Sequence, residues 1–119
     1  MDLSYSMRLR IHGQDVFFGP GTEELLLLVK ETGSLHMAAG KMGMSYSKAW
    51  KIIRRAEQEL HFPLLERKAG GSGGGFSRLT SEGSHFLEQY RAFCQDVCQA
   101  ANLSFQTYFG KAVEINETN

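Results

Sequence analysis

Apolar residues recur at helical spacing in four segments of this chain. The third segment is the most regular, because its apolar positions follow an i, i+3, i+4, i+7, i+11 pattern with no interrupting Gly or Pro. It predicts a continuous amphipathic helix from about Tyr46 to Leu60, with Ser45 as its amino-terminal cap. The inward positions of this helix are Ala49, Ile52, Ile53, Ala56 and Leu60.

A second helical segment ends immediately before the third one begins. Ser34 is placed to cap it, and Gly43 suits the backbone reversal that separates the two helices. Its apolar face consists of Leu35, Ala38, Ala39 and Met42. Because alanines are small, they allow the next helix to cross closely. A helix, a tight turn and a helix over about 34–60 are typical of a helix-turn-helix.

The first helical segment carries more apolar surface than one core face needs. Thr22 is placed to cap it, with Glu23 and Glu24 near the positive end of the helix dipole. Its inward stripe consists of Leu25, Leu28, Val29 and Thr32. Leu26 and Leu27 widen this stripe, and we expect the surplus to serve a partner subunit.

Strand-like segments occur at two places. Residues 7–11 alternate apolar and basic positions, 12–15 suit a turn and 16–18 follow, which predicts a hairpin broken by Gly19-Pro20-Gly21. Later, Pro63–Lys68 and Phe76–Thr80 flank residues 70–75, of which five are glycine. We interpret this region, about 64–79, as the two-stranded wing of a winged helix. Its Ala69–Gly75 tip lacks the Lys-Ser/Thr and following helix of a phosphate-binding loop.

Thr80 is placed to cap a fourth helix over about 81–101, whose aromatic stripe is wider than a single packing seam. That stripe consists of Phe86, Leu87, Tyr90, Phe93, Cys94, Val97 and Ala101. The excess of apolar side chains predicts a dimer. The residues expected at the dimer interface are Leu26, Leu27, Phe86, Tyr90, Phe93 and Val97.

Cys94 and Cys98 are four residues apart in this fourth helix. We interpret them as buried structural thiols, and a metal site or a disulfide across a dimer axis is the alternative. The histidines show no ligand spacing: they are His12, His36, His61 and His85. No nucleophile–base pair and no paired carboxylates stand out. We therefore expect no metal, no cofactor and no enzyme activity.

The charge of the chain is segregated. Its 119 residues suit one domain, and its formal net charge is zero. Yet residues 41–78 hold eight Lys/Arg against three Glu, whereas the remainder holds five against ten Asp/Glu. This distribution favours one face that meets a polyanion.

No apolar run approaches the roughly 18 residues of a membrane span. Two cysteines without an export signal favour a cytoplasmic setting.

The third helix is the candidate DNA reader. Hydroxyl groups at its amino-terminal turn suit contacts to base edges or phosphates, and basic residues follow at i, i+3 and i+7. These residues are Ser45, Tyr46, Ser47, Lys48, Lys51 and Arg55. Lys68 and Arg78, at the base of the wing, are placed to reach phosphates. Trp50 lies one turn from Tyr46, and we assign it to structural support. The alternative for this helix is a solvated amphipathic helix with basic decoration.

Several of these motifs together resemble the amino-terminal winged helix-turn-helix domain of the molybdate-responsive ModE regulators, and more distantly the LysR-type winged helix. The resemblance spans about residues 5–95. It rests on Phe18-Gly19-Pro20-Gly21, Glu31-Thr32-Gly33-Ser34, Ala38-Ala39, Met42-Gly43-Met44-Ser45-Tyr46, Ala49-Trp50, Pro63-Leu64, Glu66-Arg67, the glycines of 70–75, Arg78-Leu79-Thr80 and Glu82-Gly83.

The resemblance implies a bacterial regulator that dimerises through its first and last helices and places one recognition helix in each half-site. By position it implies that Ser45–Lys48 and Lys51 read DNA, and that Lys68, Ser77 and Arg78 act from the wing. The molybdate-sensing part of ModE is a separate carboxy-terminal domain, whereas this chain stops at Asn119 with Lys111 as the only basic residue of its last twenty. We therefore expect no molybdate binding by this chain.

The sequence thus predicts a mainly α fold with a small β component: a single winged helix-turn-helix domain over 1–119, with an amino-terminal hairpin and a long carboxy-terminal dimerisation helix. We expect a stand-alone, sequence-specific transcriptional regulator that binds double-stranded DNA as a homodimer and contacts no membrane. The alternative is a winged-helix protein–protein interaction module without DNA binding, which the zero net charge favours.

Overall fold

The computed structural model of the chain describes residues 2–68 and 76–110. The glycine tip predicted for 69–75, and Lys111, lie outside these described residues. The elements are β1 Ile11–His12, β2 Val16–Phe18, α1 Pro20–Thr32, α2 Leu35–Lys41, α3 Tyr46–Leu60, β3 Leu65–Lys68, β4 Phe76–Leu79 and α4 Ser81–Phe105, followed by a π-helical segment, Gln106–Gly110. The predicted mainly α architecture with two small antiparallel sheets is confirmed. Two compact units are present: Arg8–Glu88, and the residues up to Met7 together with those from Gln89 onward.

The amino-terminal hairpin is confirmed, but it is shorter than predicted. β1 and β2 pair antiparallel, with Ile11 opposite Phe18 and His12 opposite Val16. Residues 7–10, expected in the first strand, are not paired, and His12, expected in the turn, belongs to β1. The alternation of apolar and basic residues over 7–11 therefore marks an extended segment of which only the end joins the sheet.

The start of α1 corrects a second prediction. The helix begins at Pro20 with Gly19 as its cap, so Thr22 is not the capping residue but lies inside the first turn and is buried. Proline suits this position because its fixed φ matches the helix and its missing N–H would have no partner there. The helix ends at Gly33, whose N–H donates to the Val29 carbonyl at 2.7 Å.

The helix-turn-helix follows the sequence pattern closely. Ser34 and Ser45 cap α2 and α3, because their Oγ atoms accept from the backbone N–H groups of Met37 and Lys48, each at 3.1 Å. Gly43 adopts a φ of 71°, in the left-handed region that suits a residue without a Cβ. α3 spans the predicted residues, and three of its predicted inward positions are buried: Ala49, Ile53 and Ala56.

The core of the Arg8–Glu88 unit joins the helices, the hairpin and the wing. Its largest fully buried side chains are Phe18, Leu25, Leu26, Val29, Leu35, Ile53 and Leu64. The ring of Phe86 packs edge-on against that of Phe18, with 4.9 Å between centroids. Each such aliphatic or aromatic side chain contributes roughly 1.5–3 kcal/mol by leaving water. Because Leu26 is fully buried here, its predicted place at a dimer interface is wrong, and Leu27 is only half-buried.

The wing is anchored to α3 just before its first strand and to α4 just after its second strand. β3 and β4 pair in register from Leu65 opposite Leu79 to Lys68 opposite Phe76. The Glu57 carboxylate of α3 accepts from the Leu64 N–H at 2.8 Å. Thr80 caps α4 as predicted, because its Oγ1 accepts from the Gly83 N–H at 2.8 Å. A Cβ at Gly83 would overlap the Leu64 carbonyl, so this close approach requires glycine.

In the second unit, α4 continues to Phe105, four residues beyond the predicted end. The ring of Phe105 packs against those of Tyr5, at 5.0 Å, and Phe109, at 5.1 Å between centroids. The Tyr5 hydroxyl donates to the Asn102 side-chain oxygen. The pKa of Tyr5 is raised, because packing desolvates its hydroxyl and because Cys98 lies nearby.

The outward side of α4 corrects two predictions. Tyr90, predicted at a dimer interface, is buried within the chain. The cysteines are not both buried thiols, since Cys94 is half-buried and Cys98 is exposed. Phe93 is 47% exposed, and Phe86 and Val97 are half-buried. Among the described residues, no helix is long and apolar enough to cross a membrane.

Candidate nucleic-acid interface

The outward face of α3 carries the predicted reader residues. Ser45, Ser47, Lys48, Lys51 and Arg55 are all exposed. Because an α-helix turns about 100° per residue, positions 47, 51 and 55 lie within one strip along the helix. The hydroxyl of Ser45 accepts from the helix backbone as a cap but keeps its own hydrogen for donation. The face thus offers hydroxyl groups at its amino-terminal end and cations along its length.

Tyr46 and Trp50 hold a cation from the wing beside this face. The Arg67 guanidinium lies 4.7 Å from the Trp50 ring centroid and 5.9 Å from that of Tyr46, and it donates to the Tyr46 hydroxyl. Arg54 lies 5.6 Å from the Trp50 ring. We call Tyr46, Trp50, Arg54 and Arg67 the aromatic–arginine cluster. It joins β3 to α3 and keeps two positive charges at the edge of the outward face of α3.

Within the cluster the two aromatic rings meet edge to face, with 6.4 Å between their centroids. This contact agrees with the structural support that the sequence assigns to Trp50, one helical turn from Tyr46. His36 of α2 packs against the other side of Tyr46, at 5.8 Å between ring centroids. Tyr46 is therefore held between two elements and keeps 38% of its surface exposed.

The three predicted wing residues differ in exposure and in their partners. Lys68 is exposed, and among the described residues it has no ion-pair partner. Arg78 is exposed but paired, with its Nε 2.5 Å from the Glu66 carboxylate. Ser77 is 5% exposed, and its backbone N–H donates to the Gly33 carbonyl at 2.9 Å, so its predicted role as a wing contact is wrong. The alternation of a strand explains this outcome, because residues 76 and 78 face away from residue 77.

The amino-terminal hairpin borders α3 through two polar contacts. The Arg55 guanidinium lies 3.2 Å from the Asp15 carboxylate, and both side chains are more than half exposed. The Glu59 carboxylate accepts from the Gln14 N–H at 3.3 Å. Arg8 and Arg10, which precede β1, line one surface groove together with Arg55. The segment before the hairpin thus brings two further cations to this side of α3.

Sequence reasoning missed Arg67, Arg54, Arg8 and Arg10 as members of this surface. For Arg54 a signal existed, since it lies one turn after Trp50 on the same helix. Arg67 is separated from Tyr46 by 21 residues, and only the folding of the wing onto α3 brings them together. Within the described parts of the chain, no group of three His, Cys, Asp or Glu side chains is arranged to hold a metal ion.

Comparison with protein families gives a match over this region. The family described as bacterial regulatory helix-turn-helix protein, lysR family, matches residues 24–84, just over half of the 119 residues. The match runs from the second turn of α1 into the first turn of α4, and it therefore includes α3 and the wing.

Individual relatives match a similar length. Over 82 residues the chain is 34% identical to the DNA-binding transcriptional dual regulator ModE of Escherichia coli (strain K12), which covers 69% of this chain and 31% of that protein. It is 36% identical over 81 residues to the molybdenum transport protein ModE of Herbaspirillum seropedicae, with 68% and 28% covered. The chain spans under a third of the length of these curated relatives.

Solved structures share the fold. A complex of the CbnR DNA-binding domain with DNA superposes with a TM-score of 0.57 at 24% identity, covering 73% of this chain and 94% of that one. The Multiple Antibiotic Resistance Repressor, MarR, superposes with a TM-score of 0.55 at 13% identity, covering 85% and 75%. These similarities agree with the winged helix-turn-helix architecture described above.

Proposed function

The chain belongs to the lysR family of bacterial regulatory helix-turn-helix proteins, and from that membership we propose that it binds double-stranded DNA and regulates transcription. The observation that carries this proposal is the exposed face of α3, where Ser47, Lys48 and Lys51 lie side by side beside the aromatic–arginine cluster. A face of this kind suits a polyanion that presents hydrogen-bonding groups at the floor of a groove.

In this proposal α3 lies in the major groove, where some of its side chains recognise bases and others bind phosphates. The hydroxyl groups at its amino-terminal turn, above all that of Ser47, contact base edges and set sequence preference. Lys48 and Lys51 contact phosphates and supply affinity that depends on salt, because each contact releases condensed counterions. Lys68 contacts the backbone from the wing, where it is exposed and unpaired among the described residues.

We further propose that the protein acts as a homodimer through the later part of α4. Phe93 is 47% exposed there, and Val97 lies one turn further along the same face and is half-buried. Two copies of one reader imply two related half-sites about one turn of DNA apart.

The test is binding of fluorescently labelled DNA from the region upstream of the protein's own gene, titrated at several salt concentrations. We expect nanomolar-range binding that weakens steeply as salt rises, with footprints at two half-sites. Absence of binding at low salt, by protein that is folded and dimeric, would refute the proposal. It would favour the interaction module instead, for which the pairing of Arg55 with Asp15 and of Arg78 with Glu66 is the supporting observation.

A further inference from the structure

α3 has two borders, and different parts of the chain occupy them. Trp50 contacts the wing through Arg67, whereas Arg55 and Glu59 contact the hairpin through Asp15 and the Gln14 N–H. Around the helix, position 50 lies about 140° from position 55 and about 180° from position 59. The wing and the hairpin therefore flank the reader helix on opposite sides.

The hairpin side is basic. Arg8, Arg10 and Arg55 line one groove, with Val16 and Ile52 contributing apolar walls. Arg8 and Arg10 are exposed and form no hydrogen bond or ion pair with any residue that the structure describes. Arg55 is paired with the Asp15 carboxylate, so the positive charges that an anion in the groove would neutralise are chiefly those of Arg8 and Arg10.

The stem of Arg10 lies beside the start of α1. A Cβ at Gly19 would lie 3.4 Å from the Arg10 Cγ, so the aliphatic part of this side chain runs close to the backbone of Gly19. A side chain already packed in this way loses less conformational entropy when its guanidinium binds a ligand. The groove thus combines charge with partial preorganisation.

The dimensions of DNA suggest the ligand. A major groove about 12 Å wide is bounded by two phosphate backbones, so a helix lying in it has one backbone on each side. The wing with Lys68 borders one side of α3, and the arginine groove borders the other. We propose that Arg8 and Arg10, together with Arg55, bind the phosphate backbone on the side of α3 opposite the wing. This inference rests on the DNA-binding function proposed above.

The test compares the double variant R8Q/R10Q with the wild type. Glutamine keeps a polar side chain of similar length and removes both charges. Each phosphate contact adds about 0.9 to the slope of log affinity against log salt, so the slope should fall by about 1.8 for each DNA-bound subunit, or about 3.6 for a dimer on two half-sites. The loss of affinity between 50 and 200 mM salt should then be about tenfold smaller than in the wild type for each subunit, and on the order of 100-fold smaller for the dimer. The ratio of affinities for specific and scrambled DNA should not change, because phosphate contacts carry no sequence information.

Lys30→Glu is the matched control. This substitution changes the net charge by the same two units. Lys30 is exposed in the last turn of α1, at the opposite end of that helix from Gly19, which lines the arginine groove. We expect it to leave the slope within experimental error of the wild type. An equal decrease of slope in K30E would show a general charge effect and overturn the inference. Thermal melting of each variant verifies that the fold is retained.

Three further outcomes distinguish the ways in which the proposal can fail. If the wild type binds DNA and R8Q/R10Q keeps its salt slope, the arginine groove does not contact phosphates and only this inference fails. If inorganic phosphate without DNA raises the melting temperature of the wild type but not of R8Q/R10Q, while the slope is unchanged, the groove binds small anions and not the DNA backbone. If the wild type binds no DNA, the proposed function itself fails.

Discussion

α3 and α4 are both amphipathic helices, but they present opposite chemistry to their surroundings. The buried side of α3 consists of Ala49, Ile53 and Ala56, and its exposed side is polar and basic. α4 buries Leu87 and Tyr90 yet leaves Phe93 47% exposed. In α3 the core buries the apolar stripe, so the exposed face is polar and suits a polyanion. In α4 the stripe is wider than the core covers, so apolar side chains stay exposed and suit contact with another protein.

The largest expected effect comes from reversing the chemistry of the α4 surface. Phe93→Asp places a carboxylate where we propose that two subunits meet, and it should weaken dimerisation by more than about 100-fold, or roughly 3 kcal/mol. Sedimentation equilibrium measures this change. Gln95→Asp adds the same charge two positions further along, on the other side of the helix, and should leave the dimer intact. A dimer constant unchanged in F93D would exclude this surface as the interface.

The next effect concerns the support of α3 by the wing. Arg67→Ala removes both ring contacts and the hydrogen bond to Tyr46, and it should lower the free energy of unfolding by about 1.5 kcal/mol. Trp50 is the only tryptophan of the chain, so its fluorescence follows both unfolding and the change at this contact. Lys68→Ala, the neighbouring cation on β3 without a ring contact, should change the stability by less than about 0.5 kcal/mol. Equal effects of the two substitutions would contradict a specific role for Arg67.

A smaller effect tests the reading end of α3. Ser47→Ala removes one hydroxyl from the amino-terminal turn and should change the discrimination between DNA sequences by about 1 kcal/mol, since a base contact is lost. Selection from a randomised DNA library, followed by sequencing, gives the preference profile of each protein. Identical profiles for wild type and variant would remove Ser47 from the readers.

The smallest effect tests the cationic strip. Lys51→Ala should weaken binding to all sequences alike and reduce the salt slope by about 0.9 for each DNA-bound subunit, which makes the affinity loss between 50 and 200 mM salt about 3.5-fold smaller per subunit. Fluorescence anisotropy on a specific and a scrambled duplex measures both. A selective loss on the specific duplex alone would instead assign Lys51 to base recognition.

Local patterns predicted most of the elements because their causes are local. The caps at Ser34 and Ser45, the left-handed Gly43 and the full extent of α3 follow from side chains within three or four residues of one another. Thr22 does not cap α1, because Pro20 is an equally local start signal and places the first helical residue two positions before Thr22.

The composition of the surface was harder to predict. Leu26 and Tyr90 belong to wide apolar stripes, and both are buried. The spacing of apolar residues does not show which part of such a stripe is buried in the core. Ser77 lies between two exposed strand residues, and its burial depends on the contact of β4 with the end of α1. Cys98 was predicted to be buried and is exposed, because it lies at the edge of the apolar stripe of α4, where the sequence pattern does not show whether the core covers a residue.

By itself, the sequence determined the order of helices and strands, the helix-turn-helix and the basic face of α3, since spacing within a segment decides which residues share a side. Only the tertiary structure brought Arg67 onto Trp50, Asp15 to Arg55, and Arg8 and Arg10 to the border of the reader helix. These contacts join residues far apart in the chain. Their geometry depends on how whole elements pack against a shared core, and no local spacing encodes it.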